Sequence, residues 1–241
     1  MSDGILSNMD IVLIPGFWLD GASWDEVAAP IRSAGHTVYA LTLPGLESRE
    51  TDRSGIGLRD HIDAVVAFVD SLPDRVVLVG HSGGGAVAHA TVDVRPDRVA
   101  RVIYVDSGPL AHGGVINDEL PVVNGEVPLP DWSVFEEEDL VDLDESLRAK
   151  FRSIAIPEPV AVTSDKQVLS DDQRRYDVPV TVIACEFSSE MMRGWMAEGN
   201  PYVAELARIK DVELVDLPTG HWPQFTKPRE LAAAILAAVG G

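Results

Sequence analysis

Six short apolar runs punctuate the chain: MDIVLI (9–14), HTVYALTL (36–43), RVVLVG (75–80), RVIYVDS (101–107), VPVTVIAC (178–185) and VELVDL (212–217). Most are rich in Val and Ile and do not alternate with polar residues, as strands covered on both faces do not. Between them, apolar positions recur at helical spacing in SWDEVAAPIRSAG (23–35), LRDHIDAVVAFVDSL (58–72), GAVAHATVDV (85–94), PYVAELARI (201–209) and RELAAAILAAV (229–239). Strands alternating with helices predict an α/β fold, a doubly wound and mostly parallel sheet.

The rhythm breaks from Gly108 to Asp177, where prolines and acidic residues are frequent and no core strand is evident. A structureless loop of that length is uncommon inside a compact domain. The expected arrangement is a core of residues 1–107 and 178–241 with an inserted, partly helical cap (lid) over 108–177. SVFEEEDLVDLDESLRAKF (133–151) is expected to supply its helices, with Ser133 as an N-cap and acidic residues near the helix start. The EEED run at 136–139 reads as a solvated face.

Charge narrows the partners. Lys and Arg number 19 against 39 Asp and Glu, a formal charge of −20. Such a field repels phosphate backbones and anionic lipid, so nucleic-acid and membrane-surface roles are disfavoured and a small-molecule partner is expected. MSDGILSN carries neither a basic nor an apolar leader segment, and no run is long enough to span a bilayer. The lone Cys185 excludes an internal disulfide and a multi-cysteine metal site. These features together suggest a cytoplasmic protein, and they leave the oligomeric state open.

GHSGGG (80–85) sets one serine among four glycines between the strand run VVLV and the helical run AVAHATVDV. GHSGG fits G-x-S-x-G, a sharp strand-to-helix turn that lifts a nucleophilic serine above a sheet edge. Gly80 and Gly84 then lie where side chains would strike neighbouring backbone. The Gly83 N–H faces a developing oxyanion, helped by the positive end of the helix that starts there.

With those flanks, the chain resembles the α/β-hydrolase superfamily over nearly its whole length, in the style of small cofactor-free esterases and hydroxynitrile-lyase-like members. IPGFWLDGASWDEVAAPIRSAGHTVYALTLPGLE (14–47) resembles the first βαβ unit with its oxyanion loop, RVARVIYVDSGPL (98–110) the strand before a cap, and LPTGHWPQFTKPREL (217–231) the loop of the catalytic histidine. The resemblance implies Ser82 as nucleophile, His221 as base, and the N–H groups of Phe17 and Gly83 as oxyanion hole. Pro15 stands where such proteins often have a histidine.

One departure concerns the acid. In the turn after VPVTVIAC the usual carboxylate position is taken by Ser188, and a neutral serine cannot stabilise an imidazolium. Asp106, at the end of RVIYVD, is the favoured replacement because strand ends hold side chains rigidly, with Glu190 and Glu186 as alternatives. Trp18, Trp132, Trp195 and Trp222, with His81 and His112, are candidates for a mostly apolar substrate pocket. No metal or cofactor motif is present. The expected function is a serine hydrolase acting on an ester, thioester or lactone of a small, mostly apolar molecule. A lyase or acyltransferase using the same site, or a non-catalytic ligand-binding member of the fold, are the alternatives.

Overall fold

The computed structural model describes residues 8–240; the leader reading of MSDGILS falls outside them. In chain order the elements are β1 (Asp10–Ile14), α1 (Asp25–Ser33), β2 (Thr37–Ala40), α2 (Leu58–Ser71), β3 (Val76–His81), α3 (Gly83–Val94) and β4 (Val99–Val105). There follow β5 (Glu126–Val127), α4 (Glu145–Ile154), β6 (Glu158–Pro159), α5 (Val160–Ser164), β7 (Val180–Ala184), α6 (Ser189–Glu198), β8 (Val212–Asp216), α7 (Pro223–Thr226) and α8 (Pro228–Gly240).

Six strands form one sheet in the order β2-β1-β3-β4-β7-β8, and every pairing within it is parallel. The apolar runs are unbroken because both faces are covered. Along β1, Ile11 and Leu13 pack with Trp24, Val27 and Ile31 from around α1 and with Leu231 and Ile235 of α8. Val12 and Ile14 face the other way, into a layer with Ile62 and Val65 of α2, Val87 of α3 and Met192 of α6. Parallel pairing puts the C-terminal ends of β1, β3 and β4 along one rim, the edge where open α/β sheets hold their ligands.

Two local expectations are corrected. Residues 201–209 do not form one helix; they make two short 3-10 turns, Pro201–Val203 and Leu206–Arg208. Glu205 lies between them and turns inward, where its Oε1 accepts from His89 (2.9 Å) and the Tyr176 hydroxyl (2.9 Å). The helix of this region is instead α6, which ends at Glu198, before the expected segment begins. Ser188 caps it by accepting the Met191 N–H at 3.2 Å. Within 108–177, Ser133 is no helix cap: it sits in a 3-10 turn capped by Asp131, and α4 starts later with Asp144 accepting from Leu147 N–H. That interval also holds a small antiparallel pair, β5 with β6, which the sequence pattern did not reveal.

The glycines of the β3–α3 turn answer to neighbouring backbone. A Cβ on Gly84 would lie 2.5 Å from the Ile14 carbonyl oxygen and 2.7 Å from that of Pro15; one on Gly80 would lie 2.6 Å from the Gly84 oxygen. Gly84→Ala is therefore expected to cost about 1–3 kcal/mol by overpacking against backbone that cannot step aside, read from the midpoint of urea unfolding. A midpoint at or above the wild-type value would show that β1 and α3 are not held this close.

Candidate active site

The serine stands one residue past β3, with φ 51° and ψ −124°. A side chain in this left-handed region carries strain of about 1–3 kcal/mol, so the surroundings must impose it. They do so from both sides of the peptide: Ser82 N–H donates to Val105 O at 3.3 Å, and its carbonyl accepts from Gly85 N–H (2.9 Å) and from the Ser107 hydroxyl (2.6 Å). The loop after β1 comes equally close. A methyl on Gly16 would lie 2.9 Å from Ser82 Cβ.

His221, in the loop after β8, reaches this serine: the Ser82 hydroxyl donates to Nε2 over 2.8 Å. On the ring's far side Nδ1–H donates to Asp106 Oδ2 over 2.7 Å. Asp106 lies one residue past β4, also at positive φ (43°), and its other oxygen accepts the N–H groups of Cys185 (2.9 Å) and Glu186 (3.0 Å). Burial opposes its ionisation, but the His221 hydrogen bond and charge win, and the carboxyl is held below the usual range. Glu186 is drawn in as well, its Oε1 2.7 Å from His221 Nδ1. Burial lifts this carboxyl to about 7 against the opposing pull of His221. For His221 burial favours the neutral ring, yet the hydrogen bonds and charges of Asp106 and Glu186 outweigh it and hold the imidazole above its usual range. Glu190 is exposed on α6, away from this cluster, and Ser188 spends its hydroxyl on the helix cap.

His81 is a correction. It is fully buried beneath the site and lines no part of the cavity. Its Nε2–H donates to the His221 carbonyl at 2.6 Å and Gln224 donates to its Nδ1 at 3.3 Å. Burial holds it neutral, with a pKa of about 3. It props up the loop of His221 instead of bordering the cavity, and nothing in GHSGGG signals that role.

A cavity of about 470 Å³ opens beside Ser82 and His221, between residues 107–116 and 186–206. Ile116, Val182, Met192, Trp195 and Tyr202 supply apolar wall, and Asp106, Glu186 and Glu205 supply acid. Among the described residues no lysine or arginine lines it. Of the four tryptophans proposed for a pocket only Trp195 borders this cavity. Trp18, Trp132 and Trp222 pack with Phe135 and Phe151 into an aromatic cluster, with ring centroids 5.2–6.2 Å apart. His112 is exposed, accepting the Leu169 N–H at 3.1 Å. The N–H groups of Phe17 and Gly83 donate to no protein acceptor among the described residues, which leaves both free for an oxyanion. Asp106, Glu186 and His221 are also the one group of metal-capable donors found close together there. The 2.7 Å separations of Nδ1 from the two carboxylates are hydrogen-bond distances; ligands on a zinc ion at about 2.0–2.2 Å stand further from one another.

Residues 108–177 grip the loops after β1 and after β8. Trp18, at φ 65°, donates its N–H to Glu158 Oε2 (3.1 Å) and its indole N–H to Val127 O (3.0 Å), and its carbonyl accepts from Ile156 N–H (2.9 Å). On the other side, Gly220 N–H donates to Val141 O (3.0 Å) and His221 N–H to Asp139 O (2.8 Å). Glu158 is fully enclosed, and burial pushes its carboxyl up to about 8. Sequence reasoning missed it: a single acid between two prolines carries no periodic signal.

The family model described as "Alpha/beta hydrolase family" matches residues 11–234. A carbendazim hydrolyzing esterase of Nocardioides sp. (strain SG-4G) is 36% identical over 80 residues, 32% of this chain and about a third (33%) of that relative's length. Among solved structures, an extracellular alpha/beta-hydrolase from a Paenibacillus species superposes with a TM-score of 0.76 at 22% identity, over 95% of this chain and 98% of its own. A methylesterase from Arabidopsis does so with a TM-score of 0.75 at 19% identity, over 96% and 98%.

The grip through Glu158 has a pH signature. The folded chain keeps on this carboxyl a proton that the unfolded chain releases near its ordinary 4.5, so stability falls as pH rises from 4.5 to about 8. The slope is at most about 1.4 kcal/mol per pH unit. Urea unfolding of wild type and Glu158→Gln at both ends of this window should show the wild type losing more stability than the variant. Parallel losses would mean that Glu158 is ionised in the fold.

Proposed function

The chain belongs to the alpha/beta hydrolase family, and on that premise we propose that it is a carboxylic-ester hydrolase working through an acyl-enzyme on Ser82. The observation that carries this reading is the unbroken line Ser82 Oγ, His221 Nε2, His221 Nδ1, Asp106 Oδ2, with contacts of 2.8 and 2.7 Å. The esterase and methylesterase descriptions of similar proteins point the same way.

Ser82 attacks the ester carbonyl as His221 Nε2 takes its proton, and Asp106 stabilises the imidazolium and holds its ring in place. The negative oxygen of the tetrahedral intermediate is received by the N–H groups of Phe17 and Gly83, fixed before reaction by Gly16's approach to Ser82. His221 then protonates the leaving alcohol and, in the second half, activates water against the acyl-enzyme. Residues 108–177 act as a cap, closing the aromatic cluster over the catalytic loops. The cavity suits a small, mostly apolar ester. Its lining holds three carboxyls and no lysine or arginine, which favours neutral or cationic groups over anionic ones.

Two outcomes are expected. A fluorophosphonate should add once to the protein by intact mass, and Ser82→Ala should abolish the adduct and lower ester hydrolysis by at least about 10,000-fold; undiminished hydrolysis in that variant would sink the scheme. Between esters of equal length ending in a hydroxyl or a carboxylate, kcat/KM should be at least about tenfold lower for the carboxylate. Equal values would show that the acidic lining does not face substrate.

A further inference from the structure

We infer that Glu186 is a positioning residue that shares His221 Nδ1 with Asp106, so that two carboxyl groups act on the base and either can hold it alone. This rests on the serine-hydrolase reading above. Both acids stand 2.7 Å from the same nitrogen. They reach it from neighbouring strands, Asp106 after β4 and Glu186 after β7, and are tied together by the Glu186 N–H to Asp106 Oδ1 bond of 3.0 Å. The single imidazole N–H is directed at Asp106, and Glu186 Oε1 is buried with no hydrogen-bond partner of its own. A buried, unpartnered carboxylate oxygen in contact with the catalytic ring is costly unless a proton passes among the three groups. Two like charges at this distance do not both ionise freely, so the trio titrates as a unit.

No other neighbour neutralises the cluster directly. The Cys185 thiol and the Tyr202 phenol are both pushed upward, first by burial and then by the two acids. His81, beneath His221, is neutral. Lys227, whose charge bears on Cys185, bonds the Pro218 carbonyl at 2.7 Å and pairs with Asp142 at 3.9 Å. The second acid therefore keeps the imidazole protonated to higher pH than a single acid would, and delays the appearance of the free base.

The test follows fluorophosphonate labelling rate against pH, from about 5 to about 10, where the rising limb reports neutral His221. Wild type, Glu186→Gln, Asp106→Asn and the double variant are compared as full-length chains, with complete final labelling certifying the fold of each. Glu186→Gln is expected to move the limb to lower pH by about one unit or more, because one negative charge beside the ring is gone. Asp106→Asn should lose only about 10- to 100-fold while Glu186 remains, against about 10,000-fold in the double variant, the loss typical of a triad without its acid. A limb that stays in place in Glu186→Gln, or an Asp106→Asn variant already as slow as the double, overturns the inference while leaving the serine-hydrolase reading intact. Wild type that takes no label overturns both.

Discussion

The site depends on one backbone constraint: the chain must be held in a left-handed turn immediately beyond adjacent strand ends. Ser82 follows β3 and Asp106 follows β4, each at positive φ, and Trp18 turns the loop after β1 in the same way. These three strands are parallel neighbours, so one rim of the sheet presents Ser82, Asp106 and the loop of Trp18 side by side. None of the three residues is glycine, so each conformation is imposed by its surroundings at a cost of about 1–3 kcal/mol. The glycines next to them meet a different need. Gly16, Gly80 and Gly84 let backbone approach backbone closely enough to make the imposition possible.

Charge is arranged with similar economy. Asp106 is ionised although buried because its two oxygens take three N–H donors, one from His221 and two from the chain after β7. Glu186 lacks such a set, and burial acts on it without opposition from backbone donors. The two carboxyls therefore differ in environment far more than in distance from the ring. The acidity of the whole chain continues inward to the cavity wall, where Glu205 is held by His89, Tyr176 and Arg175.

Most of the fold and the centre of the site were legible in the sequence. Unbroken Val and Ile runs announce strands covered on both faces, and the serine turn announces itself by its glycines and flanks. Asp106 was legible as a strand-end acid once Ser188 was seen to be neutral. The helix α6 was not, because its apolar stripe is short and its signal is the cap at Ser188, the very residue read as a vacated acid position. PYVAELARI has helical spacing, but the buried hydrogen bonds of Glu205 draw that stretch into two turns. Tryptophans mark burial more reliably than they mark a pocket wall, so three of the four expected in the cavity belong to packing. His81 and Glu158 act through contacts about 140 residues away in sequence, which no local pattern encodes.

The same inserted segment takes hold of the chain on both sides of the serine: at Trp18 through Glu158, Val127 and Ile156, and at Gly220 and His221 through Val141 and Asp139. Residues 108–177 are thereby part of the frame that holds the loops after β1 and β8. Selection for a new substrate acting on residues 108–177 would reach the alignment of the reacting groups at once. Recombination that swapped the segment between relatives would need breakpoints that carry these anchoring contacts along.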